Sequence, residues 1–380
     1  MPVKKKEFTK VYDDLTKIID VDDSIQRSVP INMNFIEEGF LIKDTGFVPF
    51  GRATDLLAHS PFNYKKKDGT SYILRGYDTK LQRYSELDKQ WTDLPDCPTF
   101  TAGAEFGFVV YNDELYFGNA VESLYKFNGT VFTAYASAPK GNILEIFEDR
   151  LFITGVLLEP LTAYYSNVGV PTTFTGTDLV KPLGVDKITF IRNYYGVLMI
   201  FKEETIWKLT FVYNQMASLF VPKLEQQAGT YGAVSRKAVA WVENDLWFFT
   251  GKEVRAIGYT DNVTGVFGVN ASVLSDQIKE TLKLVVSSNY SKCVVAYNDR
   301  RFYLAVPLNS TTANVVFVSH LLYNKVWTKY IARAKSKIND FMFIDNVIYT
   351  TISEFPFGVI KWNVTTADTT DINNNLVVNE

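Results

Sequence analysis

The chain has 380 residues, of which 47% are hydrophobic and 21% charged, and its formal net charge is −3. This composition excludes a disordered chain and allows a sizeable core. The nearly balanced charge gives no overall attraction to a phosphate backbone, which argues against a dedicated DNA-gripping surface. Cys97 and Cys293 are too few for a disulfide framework and are expected to be small buried residues.

Residues 1–50 form the first predicted element, an arm that does not share the pattern of the rest of the chain. We expect a short helix at residues 12–19 and a β-hairpin at residues 36–47. The arm carries more large aromatic side chains than a solvated tail would. Four of them are candidate contacts with another subunit, with packing against the chain's own body as the alternative: Phe35, Phe40, Phe47 and Phe50.

A basic run, Lys65, Lys66 and Lys67, precedes a turn at Asp68-Gly69. Three clustered charges on a loop are a candidate DNA-facing element. A solvated turn is the competing interpretation, because so few charges give only weak, salt-dependent attachment.

From this turn onward, short apolar strands flank a tight polar turn seven times, at intervals of about 36 to 55 residues. A period of roughly 40 to 50 residues is typical of a four-stranded β-propeller blade. The pattern predicts an all-β propeller over residues 51–380 with seven blades, although six or eight also fit the spacing. The turns are centred on Asp68-Gly69, Asn112-Asp113, Glu148-Asp149, residues 193–196, residues 243–245, residues 298–300 and Asp345-Asn346.

One segment near residues 272–285 departs from the strand pattern. Leu274, Ile278 and Leu282 recur at helical spacing, and Ser272 or Ser275 is placed to cap the first turn. We expect one surface helix inserted between blades and packed on the rim, with docking of a partner as the alternative. Beyond it, residues 376–378 are a candidate for the strand that closes the propeller.

Motifs for catalysis or cofactor binding are missing from the sequence. His59 and His320 do not form a metal-ligand pattern with the cysteines, and no nucleophile elbow, phosphate loop or dinucleotide fingerprint is present. The acidic residues concentrate at hairpin tips, where turn chemistry explains them. The sequence therefore predicts no enzyme, no cofactor and no metal site.

Two segments resemble bacteriophage tail-hub and nozzle β-propeller proteins of the packaged-DNA stabilisation type. Residues 31–51 resemble the start of these propellers, and residues 229–257 resemble a blade that recurs in the same virion proteins. The resemblance covers about residues 31–364 at the level of strand and turn pattern, and no functional motif transfers with it.

The resemblance implies a non-catalytic structural protein of a phage tail, placed in the virion and assembled in the host bacterial cytoplasm. It implies a homo-oligomeric ring below the portal, contacts with portal, adaptor and other tail proteins, and double-stranded DNA as passing cargo only. The alternatives are a glycan- or protein-binding propeller and, third, a propeller glycoside hydrolase with two carboxylates in a central pocket. The absence of an apolar signal or spanning segment predicts no secretion and no membrane insertion.

Overall fold

The computed structural model describes residues 33–37, 40–43, 46–52, 54–216, 218–228, 230–258, 268–270, 273–323, 325–331, 338–352 and 358–364. Within them the strands form seven four-stranded antiparallel sheets and one two-stranded hairpin. The fold is a seven-bladed β-propeller, which confirms the predicted fold class and blade number. The chain divides into a four-blade unit, Leu56–Arg236, and a three-blade unit, Met1–Asp55 with Lys237–Glu380.

The arm contributes β1 (Met33–Glu37), β2 (Phe40–Lys43) and β3 (Gly46–Pro49). The four-blade unit contains sixteen strands in sequence order. Its first two blades are β4 (Ala58–Lys65), β5 (Ser71–Tyr77), β6 (Lys80–Ser85), β7 (Gln90–Asp93), then β8 (Gly107–Tyr111), β9 (Glu114–Gly118), β10 (Leu124–Phe127) and β11 (Phe132–Tyr135). Its third and fourth blades are β12 (Ile143–Phe147), β13 (Arg150–Thr154), β14 (Ala163–Tyr165), β15 (Leu179–Val180), then β16 (Ile188–Tyr194), β17 (Val197–Lys202), β18 (Ile206–Asn214) and β19 (Leu219–Ala228).

The three-blade unit contains the fifth, sixth and seventh blades. The fifth blade is β20 (Val239–Val242), β21 (Asp245–Phe249), β22 (Val254–Gly258) and β23 (Gly268–Asn270). The sixth is β24 (Val294–Asn298), β25 (Arg301–Val306), β26 (Val315–His320) and β27 (Val326–Ile331). The seventh is β28 (Ile338–Ile344), β29 (Val347–Ile352), β30 (Gly358–Val364) and β3.

All seven predicted polar turns join the first two strands of a blade. Four of them place two successive residues other than glycine at positive φ. Turns of this geometry match the right-handed twist of the strands that they connect, which is why the polar pairs mark blades in the sequence. The four pairs are Asn112-Asp113, Glu148-Asp149, Asp299-Arg300 and Asp345-Asn346.

The core lies between neighbouring sheets within each unit. The first strand of each blade lies beside the first strand of the next blade in the same unit. In one unit the neighbours follow the order β4, β8, β12 and β16, and in the other unit the order β20, β24 and β28. Aromatic rings fill the space between the first and second blades, where Phe62 of β4 and Phe108 of β8 have ring centroids 4.9 Å apart. Each large ring buries about 150–250 Å² on packing. This packing explains why aromatic residues are so frequent in the chain.

The strand that completes the last blade comes from the predicted arm. β3 pairs with β30 through Gly46↔Val364 and Pro49↔Ile360, and the Phe50 amide donates to the Val359 carbonyl at 2.7 Å. The predicted closing strand at residues 376–378 lies outside the described residues, and the fourth position of the sheet belongs to β3. The predicted boundary after residue 50 therefore lies on the C-terminal side of β3, which is a strand of the last blade.

The hairpin in the rest of the arm has different bounds from those predicted. The hairpin is formed by β1 and β2, which pair from Met33↔Lys43 to Glu37↔Phe40, so it spans residues 33–43 instead of 36–47. β1 lies beside β27 in the same unit. The predicted helix at residues 12–19 lies outside the described residues.

The predicted inserted helix is present but short. A 3-10 turn, Asp276–Ile278, leads into α1 (Lys279–Leu282), with further 3-10 turns at Ser287–Lys292 and Leu321–Tyr323. Ile278 and Leu282 are fully buried, which supports packing on the rim over docking of a partner. Ser275 does not cap the helix; its hydroxyl instead accepts the Val254 amide proton at 2.9 Å.

Neither cysteine forms a disulfide and both are buried, as the sequence predicts. Burial raises the pKa of the Cys293 thiol to about 12 and also raises the pKa of Cys97. A raised pKa removes the reactive thiolate at mildly alkaline pH. We expect neither thiol to react with an aromatic disulfide reagent at pH 8 in the folded protein and both to react in urea, as measured by mass spectrometry. Modification of either thiol at the rate of an unfolded cysteine would contradict this expectation.

Candidate interaction surfaces

The predicted basic loop is held against the turns of the second blade. Lys66 Nζ donates to the Asn128 carbonyl at 3.3 Å, and the Lys67 amide donates to Asp113 Oδ1 at 3.0 Å. The pKa of Asp68 is lowered because it accepts hydrogen bonds from Thr70, so its carboxylate offsets part of the loop's positive charge. A DNA contact by Lys65, Lys66 and Lys67 stays a prediction.

The arm phenylalanines do not form one described cluster. Phe50 is 8% exposed and packs edge-on against Tyr349 with ring centroids 4.7 Å apart. It is a core residue of the last blade and offers little surface to another subunit. The side chains of Phe35, Phe40 and Phe47 lie outside the described part of the chain, and their subunit contact stays a prediction.

The most prominent exposed apolar feature is a two-stranded ribbon that the sequence analysis did not identify. β17 pairs with β18 only as far as Leu198↔Leu209, whereas β18 and β19 continue to pair as far as Asn214↔Leu219. Residues 210–214 of β18 and 219–223 of β19 therefore extend past the end of the blade. We call residues 210–223 the apolar ribbon.

Packing and ion pairs fix the base of the apolar ribbon. The Phe211 ring lies 5.5 Å from that of Tyr165 in the third blade, and the Arg150 guanidinium lies 4.9 Å from the Phe211 centroid. Below it, Glu225 pairs with Lys208 at 2.7 Å and with Lys223 at 2.6 Å. These two hydrogen-bonded ammonium groups lower the pKa of Glu225 to about 2.

The tip of the apolar ribbon is exposed on both faces. Tyr213 and Phe220 are a cross-strand pair with ring centroids 5.4 Å apart, and both are more than half exposed. Met216 is fully exposed. Residues 210–222 contain no charged side chain. Solvation of these groups is unfavourable, and contiguous apolar surface of this kind marks sites of protein contact.

A second exposed apolar group lies on two loops that join strands of the third and fourth blades. We call it the loop patch: Leu157 and Leu158 between β13 and β14, and Leu183 and Val185 between β15 and β16. Leu158 is 93% and Val185 96% exposed. The Ile188 amide donates to the Pro160 carbonyl at 2.9 Å, which joins the two loops.

A buried lysine fixes the second loop of the patch. Lys202 is 0% exposed, and its Nζ donates to the carbonyls of Leu183 at 2.9 Å and Gly184 at 3.2 Å and to Asp186 Oδ1 at 3.0 Å. Backbone packs closely on its other side, because a Cβ at Gly232 would lie 2.0 Å from the Lys202 carbonyl oxygen. Leu183 and Val185 are thus exposed on a restrained loop.

The apolar ribbon and the loop patch lie at opposite ends of the same blades. β17 runs from Val197, beside the turn at Gly196, to Lys202, which holds the loop patch. The apolar ribbon continues β18 beyond the Leu198 end of β17. Six residues of strand separate the two ends by about 20 Å.

Several carboxylates near the first strands are paired with cations. Glu145 of β12 lies 3.3 Å from Arg192 of β16; burial raises its pKa and Arg192 partly opposes the shift. In the other unit, Asp340 of β28 lies 3.2 Å from Lys237. A glycosidase needs two carboxylates facing one substrate bond, an arrangement that these ion pairs do not provide.

The two histidines are buried in separate units. His320 shares a hydrogen bond of 3.0 Å with Thr328, and burial lowers its pKa to about 3. His59 stacks on Phe106 with centroids 5.8 Å apart. Over the described ranges, no group of three or more His, Cys, Asp or Glu side chains is arranged to hold a metal ion. In the same ranges, every helix is too short or too polar to cross a lipid bilayer.

Comparison with known proteins identifies the fold. No protein-family model matches the chain, and no curated protein sequence matches it. Among solved structures, the chain is similar to YCF48 bound to D1 peptide, with TM-score 0.50, 10% identity and coverage of 90% of this chain and 99% of that one. It is also similar to YCF48 from Cyanidioschyzon merolae (TM-score 0.51, 9% identity, 84% and 99% coverage) and to the Pan2 WD40 domain of Neurospora crassa (TM-score 0.51, 8% identity, 86% and 98% coverage). At this level of identity the likeness concerns the fold alone.

Proposed function

We propose that this chain is a non-catalytic protein-interaction propeller that contacts its partners through the apolar ribbon and the loop patch. The observation that carries the proposal is the concentration of exposed large apolar side chains at the two ends of the third and fourth blades. Exposed apolar surface is unfavourable in water, so a partner that buries these side chains would lower the free energy.

A similar structure, YCF48 bound to D1 peptide, agrees with this proposal because it holds a peptide partner. A phage tail component would be one instance of such a scaffold, but no feature of the described residues supports that role specifically.

Site-specific photo-crosslinking tests the proposal. A photoreactive phenylalanine analogue would replace Met216 in the apolar ribbon or Leu158 in the loop patch, and Leu87 would serve as the control because it is 92% exposed on a separate hairpin. We expect Met216 and Leu158 variants to yield defined protein adducts that excess unlabelled chain suppresses. Equal, unsuppressed labelling at all three positions would contradict an interaction function for these surfaces.

Glycan binding is the second candidate, because the exposed Tyr213–Phe220 pair offers aromatic faces of the kind that stack on sugar rings. A glycan array compared between the wild type and Tyr213→Ala tests it. Binding that the substitution abolishes would favour this alternative, and an array without binding would exclude it for the glycans displayed.

A further inference from the structure

We infer that the apolar ribbon of one copy docks on the loop patch of a second copy, so that copies of this chain associate head to tail. The inference rests on the proposed function and names its partner. Its first support is placement: the two surfaces lie at opposite ends of the same pair of blades. A contact between two different patches on identical chains is heterologous, and it repeats from one copy to the next.

The chemistry of the two surfaces is matched. The apolar ribbon is uncharged over residues 210–222, and the loop patch presents four aliphatic side chains. Two ion pairs flank these loops in the sequence, Lys181 with Glu159 at 3.4 Å and Lys187 with Glu203 at 3.0 Å. Docking of an uncharged ribbon on the aliphatic side chains would bury apolar groups and leave these two ion pairs in place.

The apolar ribbon and the loop patch also differ in shape, as docking of one surface on the other requires. The apolar ribbon protrudes beyond its blade, whereas the loop patch is spread over two loops that Lys202 and the Ile188–Pro160 hydrogen bond restrain. A restrained acceptor loses little conformational freedom on binding, which favours association.

Pairing of two ribbons edge to edge is disfavoured. β19 is the outermost strand of its sheet, and it contains Pro222 opposite Phe211. Proline has no amide proton, so it interrupts the donors along this free edge, which is a known protection against strand addition. This favours contact through the ribbon's side chains over a symmetric ribbon-to-ribbon sheet.

The expected contact is modest in area. Five large side chains at the ribbon tip, each offering on the order of 100 Å², supply roughly 500 Å² per copy, below the approximately 800 Å² per partner of a standard stable interface. Association should therefore be reversible and depend on the concentration of the chain.

Sedimentation velocity of four forms of the full chain tests the inference. The ribbon variant combines Met216→Asp with Phe220→Asp, the patch variant combines Leu158→Asp with Val185→Asp, and Leu87→Asp is the control. All five positions are exposed, so circular dichroism and thermal unfolding should match the wild type. The wild type and the control should form larger species as concentration rises, while each double variant alone stays monomeric.

Mixing the two double variants gives the decisive result. Each retains the surface that the other has lost, so an equimolar mixture should form dimers and nothing larger. A patch variant that still dimerises alone, or a mixture that stays monomeric although the wild type associates, would overturn the head-to-tail arrangement. A wild type that is monomeric at every concentration would overturn self-association, and crosslinking of Met216 to a different protein would then leave the proposed function intact.

Discussion

Replacement of Lys202 by methionine is expected to lower the free energy of unfolding by about 3–5 kcal/mol, because it removes one partner of a buried ion pair. The change deletes three hydrogen bonds, to the Leu183 and Gly184 carbonyls and to Asp186, and leaves the carboxylate without its cation. Urea unfolding followed by intrinsic fluorescence measures the loss. Hydrogen exchange at residues 183–186 should also increase, since these amides lie on the loop that Lys202 holds.

Lys187→Met is the matched control for this substitution. Lys187 belongs to the same loop and pairs with Glu203 at 3.0 Å, but its side chain is 55% exposed. An exposed ion pair contributes at most about 1 kcal/mol. If the two methionine variants lose the same stability, burial of Lys202 is not what fixes the loop.

The same site should give the wild type an acid-dependent stability. Burial alone would raise the pKa of Asp186, but hydrogen bonds from Lys202 and from the Glu204 amide reverse this, and the net shift is downward. The lowered pKa of the folded state stabilises the protein above the carboxyl group's ordinary pKa of about 4, and this contribution is lost as pH falls through the folded value. In Lys202→Met the acid dependence should be smaller; an unchanged profile would show that Lys202 does not control Asp186.

Deletion of residues 1–50 is expected to destabilise the seventh blade far more than deletion of residues 1–45. The shorter deletion removes β1 and β2 but leaves β3 and Phe50, whereas the longer one removes the fourth strand of the last sheet. The longer deletion exposes the edge of β30. It also removes the buried Phe50 ring that packs against Tyr349, and loss of this ring alone is expected to lower the free energy of unfolding by about 3–5 kcal/mol. Thermal unfolding and hydrogen exchange across residues 358–364 compare the two proteins.

Phe50→Ala separates the ring from the strand. It should fall between the two deletions in stability, because it empties the packing site against Tyr349 but keeps the β3–β30 hydrogen bonds. Equal stability of both deletions would mean that the strand pairing contributes nothing to the fold.

Much of the fold could be predicted because its signals are local. A two-residue turn with both residues at positive φ needs particular side chains, and pairs such as Asn112-Asp113 and Asp345-Asn346 mark the blades for that reason. Completion of the last sheet by β3 has no such signal. β3 is four residues long and pairs with a strand about 310 residues further along the chain, so nothing in the neighbouring sequence identifies its partner.

The candidate surfaces were harder to predict than the blades. Residues 205–209 have the sequence of an ordinary blade strand. The extension of β18 and β19 beyond β17 arises because the β18–β19 pairing continues after the β17–β18 pairing has ended. The uncharged run at residues 210–222 is the sequence signal that could have indicated it. Phe50 shows the opposite difficulty, because an aromatic residue in an arm does not reveal whether it meets another subunit or its own core.

The order in which the last sheet is completed has a consequence during synthesis. β3 leaves the ribosome early, but β30 follows about 310 residues later. At bacterial or eukaryotic elongation rates of about 5–20 residues per second, the first strand waits roughly 15–60 s for its partner. During that interval an aromatic-rich nascent segment is open to chaperones and to wrong pairing with other chains, so the yield of this protein in the cell should depend on how quickly translation reaches its final strand.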